Sequence, residues 1–125
     1  MTDNYSALGK PMTRFEKLDR VPTRCQSIEY HSDQLISVCP ITGQPDFYEV
    51  TISLEADGTA IETKTLKLYL ETFRDQGIFC EDLAVKLCED LFAAAEPLKC
   101  TVVLQQRRRG GIQITARHAL TKSAS

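Results

Sequence analysis

Residues 48–74 read YEVTISLEADGTAIETKTLKLYLETFR, and the spacing of the apolar side chains changes within this stretch. In the first eight residues apolar and polar side chains alternate, which predicts a half-buried strand. Asp57-Gly58 is typical of a turn. From Glu62 to Arg74 the apolar residues recur at helical spacing, which predicts an amphipathic helix closed by Gln76-Gly77. The stretch therefore predicts a strand followed by a helix.

The flanking sequence extends this pattern in both directions. A weaker alternation predicts an earlier strand, and the later segments predict one more helix and two more strands: Arg24–His31, Cys80–Ala95, Leu98–Leu104 and Ile112–Ala116. The order strand, strand, helix, helix, strand, strand predicts an α+β fold, an antiparallel four-stranded sheet with two helices on one face. Such a small sheet has two open edges, so we expect a homo-oligomer with its sites between subunits.

The length and composition limit the possible function classes. A chain of 125 residues with 26% charged residues fits one globular domain, which we place at residues 23–119, after a flexible arm (1–22) and before a frayed tail (120–125). The net charge of -2 gives no reason to expect direct binding of nucleic acid. No apolar run is long enough to span a membrane and no signal peptide precedes the domain, so we expect a cytoplasmic protein.

The five cysteines form no C-x-x-C pair, and their odd number argues against a disulfide framework. We expect no metal site. Cys39 is the most informative of them because it lies in an irregular stretch from Ser37 to Asp46 that contains two prolines and a glycine. A cysteine attacks an electrophile as the thiolate and needs a nearby proton acceptor, which Asp46 could be. The alternative is a small buried thiol that only packs.

Three segments resemble the 7-cyano-7-deazaguanine reductase (QueF) family, in its short single-domain form. VCPITGQPDF (38–47) resembles the catalytic loop of the family, ETKTLKLYL (62–70) its cofactor-binding segment, and RGGI (109–112) its hairpin turn. The resemblance covers about residues 24–116 in the order of the family. It implies the tunnelling (T-) fold, whose units assemble into rings.

The resemblance also implies an activity, the NADPH-dependent reduction of the nitrile of 7-cyano-7-deazaguanine to the aminomethyl group, in queuosine biosynthesis. By this resemblance Cys39 adds to the nitrile carbon to give a thioimide, and Asp46 relays protons. Glu81 would anchor the deazapurine base, because a carboxylate can accept hydrogen bonds from the ring N–H and the exocyclic amine.

For the cofactor, NADPH, the resemblance points to Glu62, Thr63 and Lys64, with Lys64 at the phosphates. Arg109 would add a cation for the phosphates from a neighbouring subunit. Without the resemblance, Lys64 would be interpreted as part of a solvated helix face and Arg109 as part of a solvated turn, while Glu81 could simply complement the helix dipole.

The sequence departs from the family at Cys80, which stands beside Glu81 where the family has histidine. A thiol replaces an imidazole poorly as a hydrogen-bonding or protonating group near neutral pH. Two alternative functions therefore stay open. One is a related non-redox transferase that adds a nitrogen nucleophile to the same nitrile on tRNA, and the other is a T-fold protein that binds a ligand without turnover.

Overall fold

The computed structural model describes residues 14–123, which form six main elements and a small accessory sheet. The elements in chain order are β1 (Arg20–Pro22), β2 (Ser27–Val38), β3 (Pro45–Glu55), β4 (Thr59–Ile61), α1 (Thr63–Glu71), α2 (Cys80–Ala95), β5 (Lys99–Arg109) and β6 (Ile112–Thr121). The predicted α+β class is confirmed. No helix among the described residues is long and apolar enough to cross a membrane.

The main sheet has the strand order β2-β3-β5-β6, and every neighbouring pair is antiparallel. Its edges are β2 and β6. The two short strands β1 and β4 pair with each other in a separate sheet. The two helices lie between the two halves of the main sheet in sequence, so the predicted order of two strands, two helices and two strands is confirmed.

One face of the sheet carries the core, and the alternation of apolar residues explains which face it is. In β3 every second side chain from Asp46 to Leu54 is buried, while the residues between them are exposed or half-buried. In β5 the buried positions are Cys100, Val102 and Leu104. The apolar rows of α1 and α2 pack on this face: Leu66, Tyr69, Leu70, Leu83, Leu87 and Leu91.

The domain boundaries differ from the prediction at both ends. Arg20–Pro22, placed in the flexible arm, forms β1 against β4, and Asp19 beside it is only 2% exposed. Phe15 packs on the ring of Tyr69, with centroids 5.5 Å apart. Residues 1–13 of the arm and 124–125 of the tail lie outside the described residues. Residues 120 and 121 of the predicted frayed tail belong to β6, where Leu120 pairs with Cys100.

Two local predictions also need correction. The helix α1 ends at Glu71, before the predicted end at Arg74, and Gln76-Gly77 does not close it. Instead, this segment runs beside the end of β2: the Val38 N–H donates to the Gln76 carbonyl (2.9 Å), and the Ile78 N–H donates to the Val38 carbonyl (3.1 Å). The segment between the helices is therefore hydrogen-bonded to the residue that precedes Cys39.

Candidate functional site

Cys39 follows β2 directly and begins a tight connection to β3. The Cys39 N–H donates to the Gln44 carbonyl, and the Gly43 N–H donates to the Cys39 carbonyl, each at 2.8 Å. Gly43 has a φ of 73°, a conformation that glycine adopts without strain. Pro40 lies against Gly77, the residue bridged to Val38. The irregular sequence between the two strands thus forms a closed six-residue loop, which we call the cysteine loop (39–44).

The cysteine loop favours the thiolate form of Cys39. The Thr42 hydroxyl has the largest effect, and the backbone N–H groups of Thr42 and Ile41 add to it; together these hydrogen bonds lower the thiol pKa. Desolvation and the charge of Asp46 act in the opposite direction. The side chain is half-exposed, unlike the fully buried thiols Cys88 and Cys100, so it can meet a ligand. A low-pKa accessible thiol is the form of cysteine that attacks electrophiles.

Asp46 lies at the start of β3 with its carboxylate buried and paired. The side chain is 7% exposed, and its Oδ1 accepts from the Arg109 guanidinium at 2.5 Å. The same guanidinium donates to the side-chain carbonyl of Gln44 in the cysteine loop. The hydrogen bond to Asp46 has the largest effect on Arg109 and raises its pKa, and a smaller interaction with Cys39 acts in the same direction. The structure therefore brings Cys39, Asp46 and Arg109 together within one chain.

The wall behind Cys39 is formed by buried hydroxyl and thiol groups. The hydroxyls of Ser37 and Tyr48 are 2.8 Å apart, and burial raises the pKa of Tyr48 to about 12. Cys80 is 2% exposed, and burial, with smaller effects of Glu81 and Asp46, raises its pKa to about 11. At neutral pH both groups are therefore uncharged hydrogen-bonding groups. Cys80 is thus a neutral thiol close enough to Asp46 to be affected by its charge.

Glu81 lies in the first turn of α2, next to Cys80, and is exposed to solvent. The helix begins after Phe79, whose side chain makes no capping bond. Because Glu81 lies in the first turn, its carboxylate is next to the positive end of the helix dipole. Phe79 itself is 47% exposed. An exposed carboxylate beside an exposed ring can bind a flat heterocycle through its N–H groups and through stacking.

A groove of about 380 Å³ lies between β2 and α1. Leu66 and Leu70 contribute apolar surface to the groove. Lys67 and Arg74 contribute two positive charges, and Glu71 contributes one carboxylate. Thr63 contributes a hydroxyl at one end. Two cations above apolar surface suit a phosphate-bearing ligand.

The residues predicted to bind the cofactor are distributed between different environments. Thr63 lines the groove. The Glu62 carboxylate accepts from the backbone N–H groups of Lys64 (2.9 Å) and Thr65 (2.8 Å), so it caps α1. Lys64 lies half-buried in the first turn of this helix. Arg109 binds the Asp46 carboxylate.

Several residues of the site were missed by the sequence reasoning. Thr42 and Gln44 belong to the motif VCPITGQPDF (38–47). Their hydrogen-bonding side chains could have indicated that they contact Cys39 or its partners. Tyr48 was interpreted only as a core position of β3. The cations of the groove, Lys67 and Arg74, were visible only as polar positions of a helix.

Comparisons with known proteins find one family model and several similar relatives. A family model described as "QueF-like protein" matches residues 45–125. A relative from Frankia casuarinae, "NADPH-dependent 7-cyano-7-deazaguanine reductase", is 41% identical over 94% of this chain and 96% of its own length. A protein of the same name from Syntrophus aciditrophicus is 39% identical over 86% of this chain and 80% of its own length.

A solved structure shares the fold. The chain resembles the structure titled "Crystal structure of the archaeosine synthase QueF-Like in the apo form" with a TM-score of 0.74, covering 82% of this chain and 100% of the other, at 22% identity. This likeness is consistent with the T-fold, and the family model covers α1 but begins after Cys39. The chain belongs to the QueF-like family.

Proposed function

We propose that this protein is an NADPH-dependent 7-cyano-7-deazaguanine reductase of queuosine biosynthesis, with Cys39 as its nucleophile. The names of the similar relatives support the reaction and the cofactor. The structural observation that carries the proposal is the half-exposed Cys39, whose pKa is lowered by the cysteine loop and which lies beside a buried carboxylate. A packing thiol would need neither feature.

The residues can perform the first chemical step as follows. The Cys39 sulfur forms a bond to the nitrile carbon, one of the carbon–nitrogen π bonds opens, and the nitrogen takes a proton. Asp46 would receive the proton of the thiol and return it to that nitrogen. The product is a thioimide bound to Cys39. Bound NADPH would supply two hydrides, which with two protons would convert the thioimide to the neutral aminomethyl base and regenerate the Cys39 thiol.

For the cofactor we propose the groove between β2 and α1. Lys67 and Arg74 would hold its phosphates, with Thr63 adding a hydrogen bond. Thr63 and Lys64, at the start of α1, keep the cofactor-binding role proposed from the sequence, whereas Glu62 caps the helix that carries them.

For the substrate we propose that Glu81 accepts hydrogen bonds from the ring N–H and the exocyclic amine of the deazapurine. Cys80 would line the same site as a neutral thiol, since burial raises its pKa to about 11. It can donate one weak hydrogen bond but cannot provide a positive charge. We therefore expect substrate binding to depend more on Glu81 than on Cys80.

We further propose a homo-oligomer, arranged as a ring, with the sites between subunits. The edge strand β6 offers ten residues for pairing with another copy. Ile41 and Ile112 are 78% and 70% exposed, and they belong to the cysteine loop and to the hairpin that carries Arg109. Burial of these two side chains by a second subunit would close the site from water. Size-exclusion chromatography with light scattering measures the assembly.

The five cysteines are unpaired, as a reducing compartment favours, and we place the enzyme in the cytoplasm. The small-molecule nitrile is its proposed partner, and no direct contact with nucleic acid is proposed.

The test follows the covalent step and the reduction separately. Purified protein is mixed with 7-cyano-7-deazaguanine, and the intact mass and near-ultraviolet absorbance are recorded before and after NADPH is added. We expect a mass increase equal to that of the nitrile, because addition has no leaving group, followed by NADPH oxidation. Cys39→Ala should form no adduct. The matched control is Cys25→Ala, which removes an exposed thiol that lies outside the site.

The outcomes separate the three functions. An adduct that ignores NADPH but is released by ammonia identifies the transferase. Binding of the nitrile without any adduct identifies a ligand-binding protein. An adduct that persists in Cys39→Ala would show that the nucleophile has been assigned wrongly.

A further inference from the structure

Arg109 lies at a position that the cofactor role does not explain. Its side chain is 36% exposed and reaches back from the end of β5 to the start of β3. There one guanidinium binds the Asp46 carboxylate at 2.5 Å and the side-chain amide of Gln44. One partner is the proposed proton relay and the other closes the cysteine loop, so the guanidinium connects the two groups that surround Cys39.

The charges at this point present an electrostatic problem for the nucleophile. A carboxylate beside a thiol disfavours the thiolate, and Asp46 does act to raise the pKa of Cys39. The charge of Asp46, the proposed proton relay, therefore disfavours the thiolate form of Cys39. A cation bound to Asp46 reduces this opposition, because the pair presents little net charge to the sulfur.

We propose that Arg109 is a positioning residue of the catalytic pair, which neutralises Asp46 and thereby keeps Cys39 reactive as the thiolate. The inference rests on the proposed role of Cys39 as nucleophile. It also predicts a dependence that a purely structural role would not produce: Arg109 matters much more to the reactivity of Cys39 while Asp46 carries its charge, because its interactions with Asp46 exceed its direct interaction with Cys39.

The other ionisable groups near Cys39 do not replace this effect. From β3, Tyr48 has its pKa raised to about 12, chiefly by burial. From α2, Cys80 has its pKa raised to about 11 by burial. Both are neutral in the range in which Cys39 reacts, and Glu81 is an exposed anion that cannot favour a second negative charge. The guanidinium of Arg109 is the cation in direct contact with Asp46.

The test measures the alkylation rate of Cys39 by iodoacetamide across pH, with the modified peptide identified by mass. The sulfur–carbon bond forms as iodide leaves, so the rate follows the thiolate fraction. In Arg109→Gln the profile should move to higher pH, and the rate at neutral pH should fall on the order of tenfold, the effect of one nearby charge. Arg108→Gln is the matched control, since it removes an exposed arginine from the adjacent position.

The decisive variant is Arg109→Gln/Asp46→Asn. We expect Arg109→Gln to slow Asp46→Asn much less than it slows the unchanged protein, because only the direct interaction of Arg109 with Cys39 is then lost. If Arg109→Gln causes the same loss of rate in both backgrounds, its effect does not pass through the Asp46 charge and the proposal is wrong. It is equally wrong if Arg109→Gln reacts like Arg108→Gln. Adduct formation with the nitrile is measured in parallel, so a protein that alkylates as expected but forms no nitrile adduct refutes the proposed function alone.

Discussion

Replacement of Glu62 by alanine separates a structural from a cofactor-binding role for this residue. The Glu62 carboxylate accepts two backbone N–H groups of the first turn of α1, at 2.9 and 2.8 Å. Loss of an N-terminal cap costs about 0.5–2 kcal/mol. A carboxylate at the positive end of the helix dipole adds about 0.3–1 kcal/mol. We therefore expect Glu62→Ala to lower the free energy of unfolding by about 1–3 kcal/mol.

The assay is equilibrium unfolding in urea at a fixed protein concentration, because subunit association changes the apparent stability. For a chain of this length a loss of 1 kcal/mol corresponds to a fall in Tm of about 4 °C. Glu62→Gln should lose less than Glu62→Ala, since its amide oxygen still accepts one bond. Glu89→Ala, an exposed change on α2, is the control and should stay within about 0.5 kcal/mol. Unchanged stability of Glu62→Ala with a raised KM for NADPH would refute the capping role.

Three further predictions concern the groove and the wall behind Cys39. The double change Lys67→Ala/Arg74→Ala should raise the KM for NADPH on the order of tenfold with little effect on nitrile adduct formation, because both cations lie in the groove; an unchanged KM would place the cofactor elsewhere. Tyr48→Phe should cost about 1–3 kcal/mol of unfolding free energy, since it leaves the buried Ser37 hydroxyl without its partner. The double variant Ser37→Ala/Tyr48→Phe should then cost less than the sum of the two single changes, and strict additivity would show that the hydroxyls do not interact. Cys80→His places a larger side chain at a position that is 2% exposed, so we expect a loss of about 1–3 kcal/mol; faster turnover with unchanged stability would show that the site has room for the histidine of the family.

The period of the apolar residues was sufficient to predict the main elements of the fold. The alternation in β3 and the helical spacing in α2 each arise because one face of the element is buried. The order of apolar residues in the sequence shows this pattern directly. The ends of the elements were harder to predict. β2 continues to Val38 because its last residues pair with β3 and with the segment at Gly77, contacts that are distant in sequence.

The site was predictable to the extent that it lies in one continuous motif. Cys39 and Asp46 are seven residues apart in the loop that the family resemblance identifies, and the structure places them together. Arg109 lies 63 residues from Asp46, and no local pattern shows that a hairpin returns it to that carboxylate. The groove likewise combines α1 with β2, so its cations could be recognised only after the helix had been placed against the strand.

The closed form of the cysteine loop has a consequence for the rate of the reaction. Its two backbone hydrogen bonds, from Cys39 to Gln44 and from Gly43 to Cys39, hold the nucleophile in place within the folded chain. The conformational entropy of ordering these residues is therefore lost during folding, before any substrate arrives. Less of the free energy of substrate binding is spent on arranging the attacking sulfur, and more remains to bring the nitrile carbon into contact with it.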